Sequence, residues 1–442
     1  MCKMKFNSRA TRYSSNSRDN ALWIRLTFTT ALFSLSTAAS ANGIALNEQS
    51  ASSAGTAYAG RSSSALDAST LYGNPAGLTR LKRSQVSGGA ALVAVSDDIS
   101  DASGGTPGTN KGDSVPLGAM PFAYLSTPVD DRFSIGLGLY VPSGLINDYE
   151  STFQGRHHGS YSETKEITLQ PTIAYRVNDV LSIGGGLTFN HFEADLRNRL
   201  ATGGLNNGTE TEVAIKGDDT ALGYNIGLLV DLSDSTTWGI TYHSKRSYQL
   251  EGHTEVSGAP AFLAIDGKYD AKIDLEMPES VDTSITHRFN NRWTGYLGTT
   301  WTRWSRLRKF EAINSDVSPI GQSVGLGRVG ETLNWHDTWT TAIGVAYQLD
   351  PRWVLRAGYA YDPAPVGNAD RSVRIPVGNR KALTFGAAYS PSPDLTVDIA
   401  YGYLWDSEVS VHQSGDSALQ PEYSARFDNS ANGLAVQFSY NF

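Results

Sequence analysis

Residues 44–81 read IALNEQSASSAGTAYAGRSSSALDASTLYGNPAGLTRL, a segment that does not alternate like a strand yet is too patterned for a linker. Small residues dominate it (Ala51, Ser52, Ser53, Ala54, Gly55, Ala57, Ala59, Gly60), with single apolar anchors at Ile44, Leu46, Tyr58, Leu66, Leu71 and Leu78. That composition suits short helices held tightly in a confined space. Asp67 and Asn74 stand where a helix or turn would start, and Asn74-Pro75 imposes an extended residue and then a turn. Taken alone, the stretch also reads as a flexible leader rich in small side chains. Its surroundings have to decide.

Downstream, the pattern has period two. Phe133, Ile135, Leu137, Leu139 and Val141 interleave with Ser134, Gly136, Gly138 and Tyr140. Leu222, Tyr224, Ile226, Leu228 and Val230, and then Ile343, Val345, Tyr347 and Leu349, repeat the arrangement. One face of each segment is greasy and the other small or polar. In water such strands bury the apolar face in a sandwich; in lipid they turn it outward around a polar interior.

Turn spacing favours lipid. Tight-turn signals at Asp130-Asp131, Asn178-Asp179, Asp234-Ser235, Asn290-Asn291, Asp350-Pro351 and Ser392-Pro393-Asp394 have aromatics beside them, including Trp238, Trp293, Tyr347, Trp353 and Tyr389. Between successive turns lie two strands and a long polar or glycine-rich loop, read as residues 143–161, 200–218, 251–270 and 311–330. Short turns on one side, long loops on the other and an aromatic belt describe an all-β transmembrane antiparallel barrel. Six turns imply about fourteen strands. With 442 residues, 40% hydrophobic, 44 glycines and no run of eighteen apolar residues, helical spanning is excluded. A net charge of -8 argues against nucleic-acid partners.

The two ends agree. Lys3, Lys5, Arg9, Arg12, Arg18 and Arg25 precede an apolar run over residues 26–39 and Ala39-Ser40-Ala41, as in a secretory signal peptide spanning residues 1–41, with Met1 or Met4 as its start. A disordered basic tail is the plainer alternative. Cleavage after Ala41 would remove Cys2, the only cysteine, leaving no disulfide, as is common for outer-membrane barrels. At the other end Leu434, Val436, Phe438, Tyr440 and Phe442 alternate with polar or small residues, and the chain stops on an aromatic. Such an ending resembles the signal by which the barrel-assembly machinery of Gram-negative bacteria recognises its clients.

Inside such a barrel, the stretch at residues 44–81 takes on a family likeness. LNEQSASSAGTAYAG, then DAST, then NPAGLTRL resembles the N-terminal plug of the FadL family, outer-membrane transporters of long-chain fatty acids and other hydrophobic compounds. The resemblance implies a hatch over residues 42–82 inside a fourteen-stranded barrel over residues 83–442, with Asn74, Pro75 and Ala76 as its hallmark and Ile44 and Leu46 as its apolar contacts. It further implies passive uptake, with a hydrophobic ligand binding against the plug and leaving through a lateral gap at a kinked third strand. Proline removes a ladder donor and glycine weakens pairing, so Pro142 and Gly144 are the candidates for that gap; an ordinary outer loop starting there is the alternative.

Headgroup candidates are cationic. Arg371, Arg374 and Arg380 lie in a basic Ile-Pro stretch similar to one the family carries between its eleventh and twelfth strands. Arg197 and Arg199 fall near a family arginine that meets the fatty-acid head, and Arg328 is the nearest cation to a family lysine. These side chains suit carboxylates or lipopolysaccharide phosphates, or simply solvation in a loop. The alternation of aromatic and basic residues from Trp301 to Lys309 reads as an outer girdle facing lipopolysaccharide. The pairs His157-His158 and His336-Asp337 lack a nucleophile setting, and adjacent histidines point to opposite faces of a strand. No enzyme, metal or cofactor is expected. A monomer is expected, and an aromatic-hydrocarbon channel or a gated porin are the alternatives in function.

Overall fold

The computed structural model describes residues 43–205, 208–415 and 417–442. The expected signal peptide, together with Asn42, lies outside the described residues.

Fourteen antiparallel strands close on themselves. They are β1 (Gln85–Gly104), β2 (Gly118–Pro128), β3 (Phe133–Asp148), β4 (Tyr161–Arg176), β5 (Leu181–Leu200) and β6 (Thr211–Ser233). Next come β7 (Thr236–His243, continued by Arg246–Ser257), β8 (Gly267–Met277, continued by Ser280–Arg288) and β9 (Trp293–Thr302, continued by Lys309–Asn314). The wall is completed by β10 (Arg328–Thr332, continued by Thr338–Asp350), β11 (Trp353–Asp362), β12 (Arg380–Tyr389), β13 (Leu395–Asp406, continued by Val409–Gln413) and β14 (Tyr423–Asn441). Each strand pairs with its neighbours in sequence, and β1 meets β14 from Gln85↔Asn441 to Gly104↔Tyr423. All six anticipated tight turns connect strands, from β2–β3 to β12–β13.

Period two becomes inside and outside. On β5, Ile183, Leu187 and Phe189 are exposed on the outer face, whereas Ser182, Thr188 and Asn190 are buried in the lumen. On β14, Leu434, Phe438 and Tyr440 point out and Gln437 and Ser439 point in. An outward apolar band around a polar interior is the pattern a bilayer selects, since lipid satisfies no hydrogen bonds and a closed barrel has no free edge. Near the tight turns, Trp293 lies beside Tyr347 with centroids 4.6 Å apart and Trp353 beside Tyr389 at 4.5 Å, forming the aromatic belt.

Higher up, the polarity inverts. β3, β6 and β7 run well past the expected loop boundaries and β8–β10 pass them by a few residues: β3 continues through Pro142 to Asp148, β6 begins at Thr211, β7 reaches Ser257, and β9 and β10 reach Asn314 and Arg328. Alternation in the sequence ends these strands too early because the apolar phase changes sides there. Leu250, Ile273 and Phe310 are buried inward, while Glu251 and Lys272 face out and pair at 2.8 Å. This collar therefore has an apolar core, as a water-exposed structure should. Four consecutive strands, β7 to β10, are interrupted at about the height where the inversion occurs.

Inside the barrel, residues 43–84 fold as short pieces: α1 (Ala51–Ala54), α2 (Thr70–Gly73) and a 3-10 turn, Pro75–Arg80. Ser50 caps α1 by accepting from the Ser53 N–H, and Asn74 caps the 3-10 turn by accepting from the Ala76 N–H at 3.0 Å. Small side chains matter because the plug touches the wall backbone. A Cβ at Gly227 would lie 2.0 Å from Asn74 Oδ1.

Candidate functional site

The plug body is tied to the wall on several strands. Asn74 Nδ2 donates to the carbonyls of Ser62 (2.6 Å) and Leu228 on β6 (3.0 Å). Thr79 meets Ser182 at 3.0 Å, Arg80 pairs with Asp231 at 2.6 Å, and Arg176 donates to the Thr79 carbonyl at 2.7 Å. Within the Asn-Pro-Ala tripeptide, proline fixes the turn and asparagine supplies both the cap and the wall contact.

Residues 43–49 form a distinct arm. Leu46 N–H donates to the Pro142 carbonyl and Gly144 N–H to the Ile44 carbonyl, both at 2.9 Å, with Ala45 bridged to Ser143. The Gln49 side chain donates to the Val141 carbonyl at 2.5 Å. The arm thus acts as a short substitute strand on β3. It finds a free edge because the β2–β3 ladder stops at Ala123↔Leu139, while β3 carries one extra residue between Tyr140↔Thr168 and Ser143↔Glu166. A bulge of this kind bends a strand and ends its pairing. Above the arm, Trp304 and Trp335 meet edge to face at 5.1 Å, and Gly43, at φ 58°, fits beneath them; a Cβ there would come within 2.6 Å of Trp335.

Three cavities follow one another through the lumen. An outer one, about 480 Å³ of non-atom space, is lined by Val95, Asp97, Asn147 and Pro376. A central one of about 1100 Å³ has a small-residue wall that includes Ala91, Ala342, Ala360, Ala400 and Gly402. A third of about 810 Å³ runs beside the β3 bulge, bounded by Tyr72, Tyr140, Pro142, Asn190 and Arg246. Outer and central cavities share Arg380, Leu404 and Ala431, which mark the upper constriction. Central and third cavities share Leu46, Asn47, Arg61, Asp282 and Thr300, so the arm is the partition between them.

The charges at these constrictions are paired. Arg61 binds Asp282 at 2.9 Å, and Arg380 lies 3.6 Å from Asp406. Glu48, on the arm, has a buried Oε2 without a hydrogen-bond partner; burial pushes its carboxyl up, against the pull of Arg380 and of nearby backbone N–H groups. Beside the third cavity, Glu166 takes bonds from Arg246, from Tyr248 (2.7 Å) and from Ser143 (2.6 Å), which fixes the strand just past the bulge. In the outer loops Arg156 grips Glu210 at 2.6 Å and His157 reaches it at 3.0 Å. Burial holds His157 below the ordinary imidazole range; burial works upward on Glu210, but the bonds from Arg156 and His157 outweigh it and keep it low.

The anticipated cations are dispersed. Arg380 alone among them lines the central cavity. Arg374 is buried between loops, donating to Ser162 Oγ and the Tyr161 carbonyl at 2.8 Å each, and Arg371 donates to the carbonyls of Val366 and Val377. Arg197 stacks over Tyr161 at 4.7 Å and pairs with Asp195, Arg199 lines an outer-loop cavity, and Arg328 pairs with Glu311 on the exposed collar. His158 bonds the Pro421 carbonyl, and Asp337 accepts from the Ser305 N–H. Sequence reasoning misses Arg61, Asp282 and Trp335. An arginine amid small plug residues is the available signal for the first; the other two look like ordinary strand and loop residues until the barrel closes.

Relatives match over nearly the whole chain. An outer membrane protein of Neisseria meningitidis serogroup B is 30% identical over 445 residues, 91% of this chain and 95% of its own. A long-chain fatty acid transport protein of Escherichia coli O6:H1 is 27% identical, covering 92% and 96%. The crystal structure of a Pseudomonas aeruginosa FadL homologue superposes with TM-score 0.81 at 23% identity, over 90% of this chain and all of that one, and carries the fold. The family described as outer membrane protein transport protein (OMPP1/FadL/TodX) matches residues 32–442. The chain is a member of that family, a β-barrel transport protein of the Gram-negative outer membrane.

Proposed function

We propose that this chain takes up long-chain fatty acids or similar hydrophobic molecules by passive diffusion. The observation that carries the reading is the series of three cavities, interrupted by the arm and ending at the bulged edge of β3. A hydrophobic molecule needs a route shielded from water with a few polar partners for its head. In this reading residues 1–41 direct export and are removed, residues 42–82 are the hatch, and residues 83–442 are the wall. Ligand passes Arg380, rests against Leu46 in the central cavity, and leaves past Pro142 and Gly144 once Ile44 and Leu46 lift away. Asn74, Pro75 and Ala76 keep the hatch body in place meanwhile. Arg197, Arg199 and Arg328 serve the outer surface, where lipopolysaccharide is the natural partner, Arg374 ties the outer loops together, and Phe442 serves the assembly machinery. The barrel acts as a monomer and performs no chemistry.

One observation favours an alternative, an aromatic-hydrocarbon channel: alanine is the commonest residue in the wall of the central cavity, and both arginines lining it have acidic neighbours. Such a site suits a compact neutral molecule. Uptake of radiolabelled oleate and of radiolabelled toluene, by cells lacking their own transporter and expressing this chain, decides between them. Oleate uptake supports the fatty-acid reading, toluene uptake alone replaces it, and high conductance for hydrophilic solutes in planar bilayers makes the protein a porin.

A further inference from the structure

Arg61 stands where three spaces meet. With Asn47 it lines the central cavity, the cavity beside β3 and a smaller one of about 320 Å³ inside the plug. Its guanidinium is held unevenly. Towards the wall, Nε and Nη2 donate to Asp282 of β8 at 3.2 and 2.9 Å, and Nη2 also donates to Thr300 Oγ1 of β9 at 3.0 Å. Asp282 is fixed in turn by Thr300 at 2.5 Å and by the Ser62 hydroxyl. Towards the arm, Nη1 makes a single bond, 2.8 Å to the amide oxygen of Asn47. That is the only side-chain bond of Asn47 among the described residues. A guanidinium has five N–H groups, so one Nη1 hydrogen has no partner among the described residues.

We propose that Arg61 senses the ligand headgroup: a carboxylate arriving in the central cavity pairs with Nη1, displaces the Asn47 amide oxygen from it, and so unties the arm. The inference rests on the fatty-acid reading of the pore. The guanidinium already makes the Asn47 bond charge-assisted, but a carboxylate adds the attraction of a full opposite charge across a water-poor cavity, and so outcompetes the neutral amide oxygen for the same donor. Asp282 keeps Nε and Nη2, and the plug body stays anchored while only the arm is released. A ligand of the same length without a carboxylate fills the cavity but leaves the Arg61–Asn47 bond intact. Opening is thereby coupled to head chemistry through one side chain, as differential binding requires.

The test reads the arm itself. Full-length protein carrying Cys2→Ser and Ala45→Cys, assembled in proteoliposomes, is labelled with a bulky maleimide, with oleate, with methyl oleate, or without ligand. Oleate is expected to raise the labelling rate about tenfold and methyl oleate not to. Asn47→Leu, which removes the acceptor, labels fast without ligand. Asn47→Asp, which strengthens it, labels slowly even when equilibrium dialysis shows oleate bound. A double variant, Arg61→Gln with Asp282→Asn, spares the fold an orphaned buried carboxylate and labels alike with either ligand. Bound oleate with labelling unchanged by the Asn47 substitutions overturns the sensing role alone, as does methyl oleate opening the arm as well as oleate does. Failure of the unsubstituted chain to bind oleate overturns the fatty-acid reading, and the sensing role with it.

Discussion

The body and the arm of the plug are contiguous in sequence and are held in opposite ways. The body is bonded to β5, β6, β7 and β8, with Thr241 donating to the Gly73 carbonyl at 2.8 Å and Ser284 accepting from the Ser62 N–H at 3.1 Å in addition to the Asn74 set. Where its backbone approaches the wall most closely, glycines make the room, as at Gly184, Gly227, Gly239 and Gly298. The arm has two backbone bonds to β3, the side chains of one glutamine and one asparagine, and a bond from the Tyr124 hydroxyl to the Gln49 carbonyl. One part resists displacement because many buried groups would lose partners together; the other can be exchanged for a ligand bond by bond.

The contrast breaks first at Gly227. Gly227→Val forces side-chain atoms into Asn74, an overlap worth at least about 3 kcal/mol, so the body should fail to seat and planar-bilayer recordings should show a wide, unselective pore. Asn74→Ala leaves the Ser62 and Leu228 carbonyls without their donor, and about 3 kcal/mol of anchorage should vanish; faster amide exchange over residues 62–80 in a normally heat-modifiable barrel checks it. Deleting Val141 removes the extra residue of β3. The strand should then straighten and pair with β2, lowering ligand uptake about tenfold while the body stays protected, a change of about 1.4 kcal/mol. The smallest effect concerns the outer loops. Because His157 and Glu210 are both held below their ordinary ranges, their contribution is present above the unfolded imidazole range, near 6.5, and is lost as pH falls through it and on below the ordinary carboxylate range. Limited proteolysis of the outer loops should quicken severalfold between pH 7.5 and pH 4, with plug protection unchanged.

The barrel was legible where lipid imposes one rule on every strand. Ile135, Leu222 and Ile343 announce their faces because the outward side must be apolar over the bilayer height, and Asp130-Asp131 or Asp350-Pro351 announce the turns by backbone geometry alone. Above that height the rule reverses. Ile215 turns inward and Lys216 outward, so the same alternation reads as a polar loop to anyone expecting greasy exteriors. The Asn-Pro-Ala tripeptide was legible through turn chemistry. The junction at Arg61 was not, since Asp282 and Thr300 lie more than two hundred residues away, and only closure of the barrel brings them to the plug.

The free edge of β3 also sets how long the passage stays open. In the proposed uptake, the arm's departure leaves the Pro142 carbonyl and the Gly144 N–H without their partners at the bulge of β3, beside the third cavity. Two orphaned groups cost about 3 kcal/mol together, which leaves the open form on the order of a hundredfold rarer than the closed one. An untenanted barrel therefore shuts itself. On the proposed reading, dwell time in the open form belongs to the cargo, and the barrel recloses through its own hydrogen bonds.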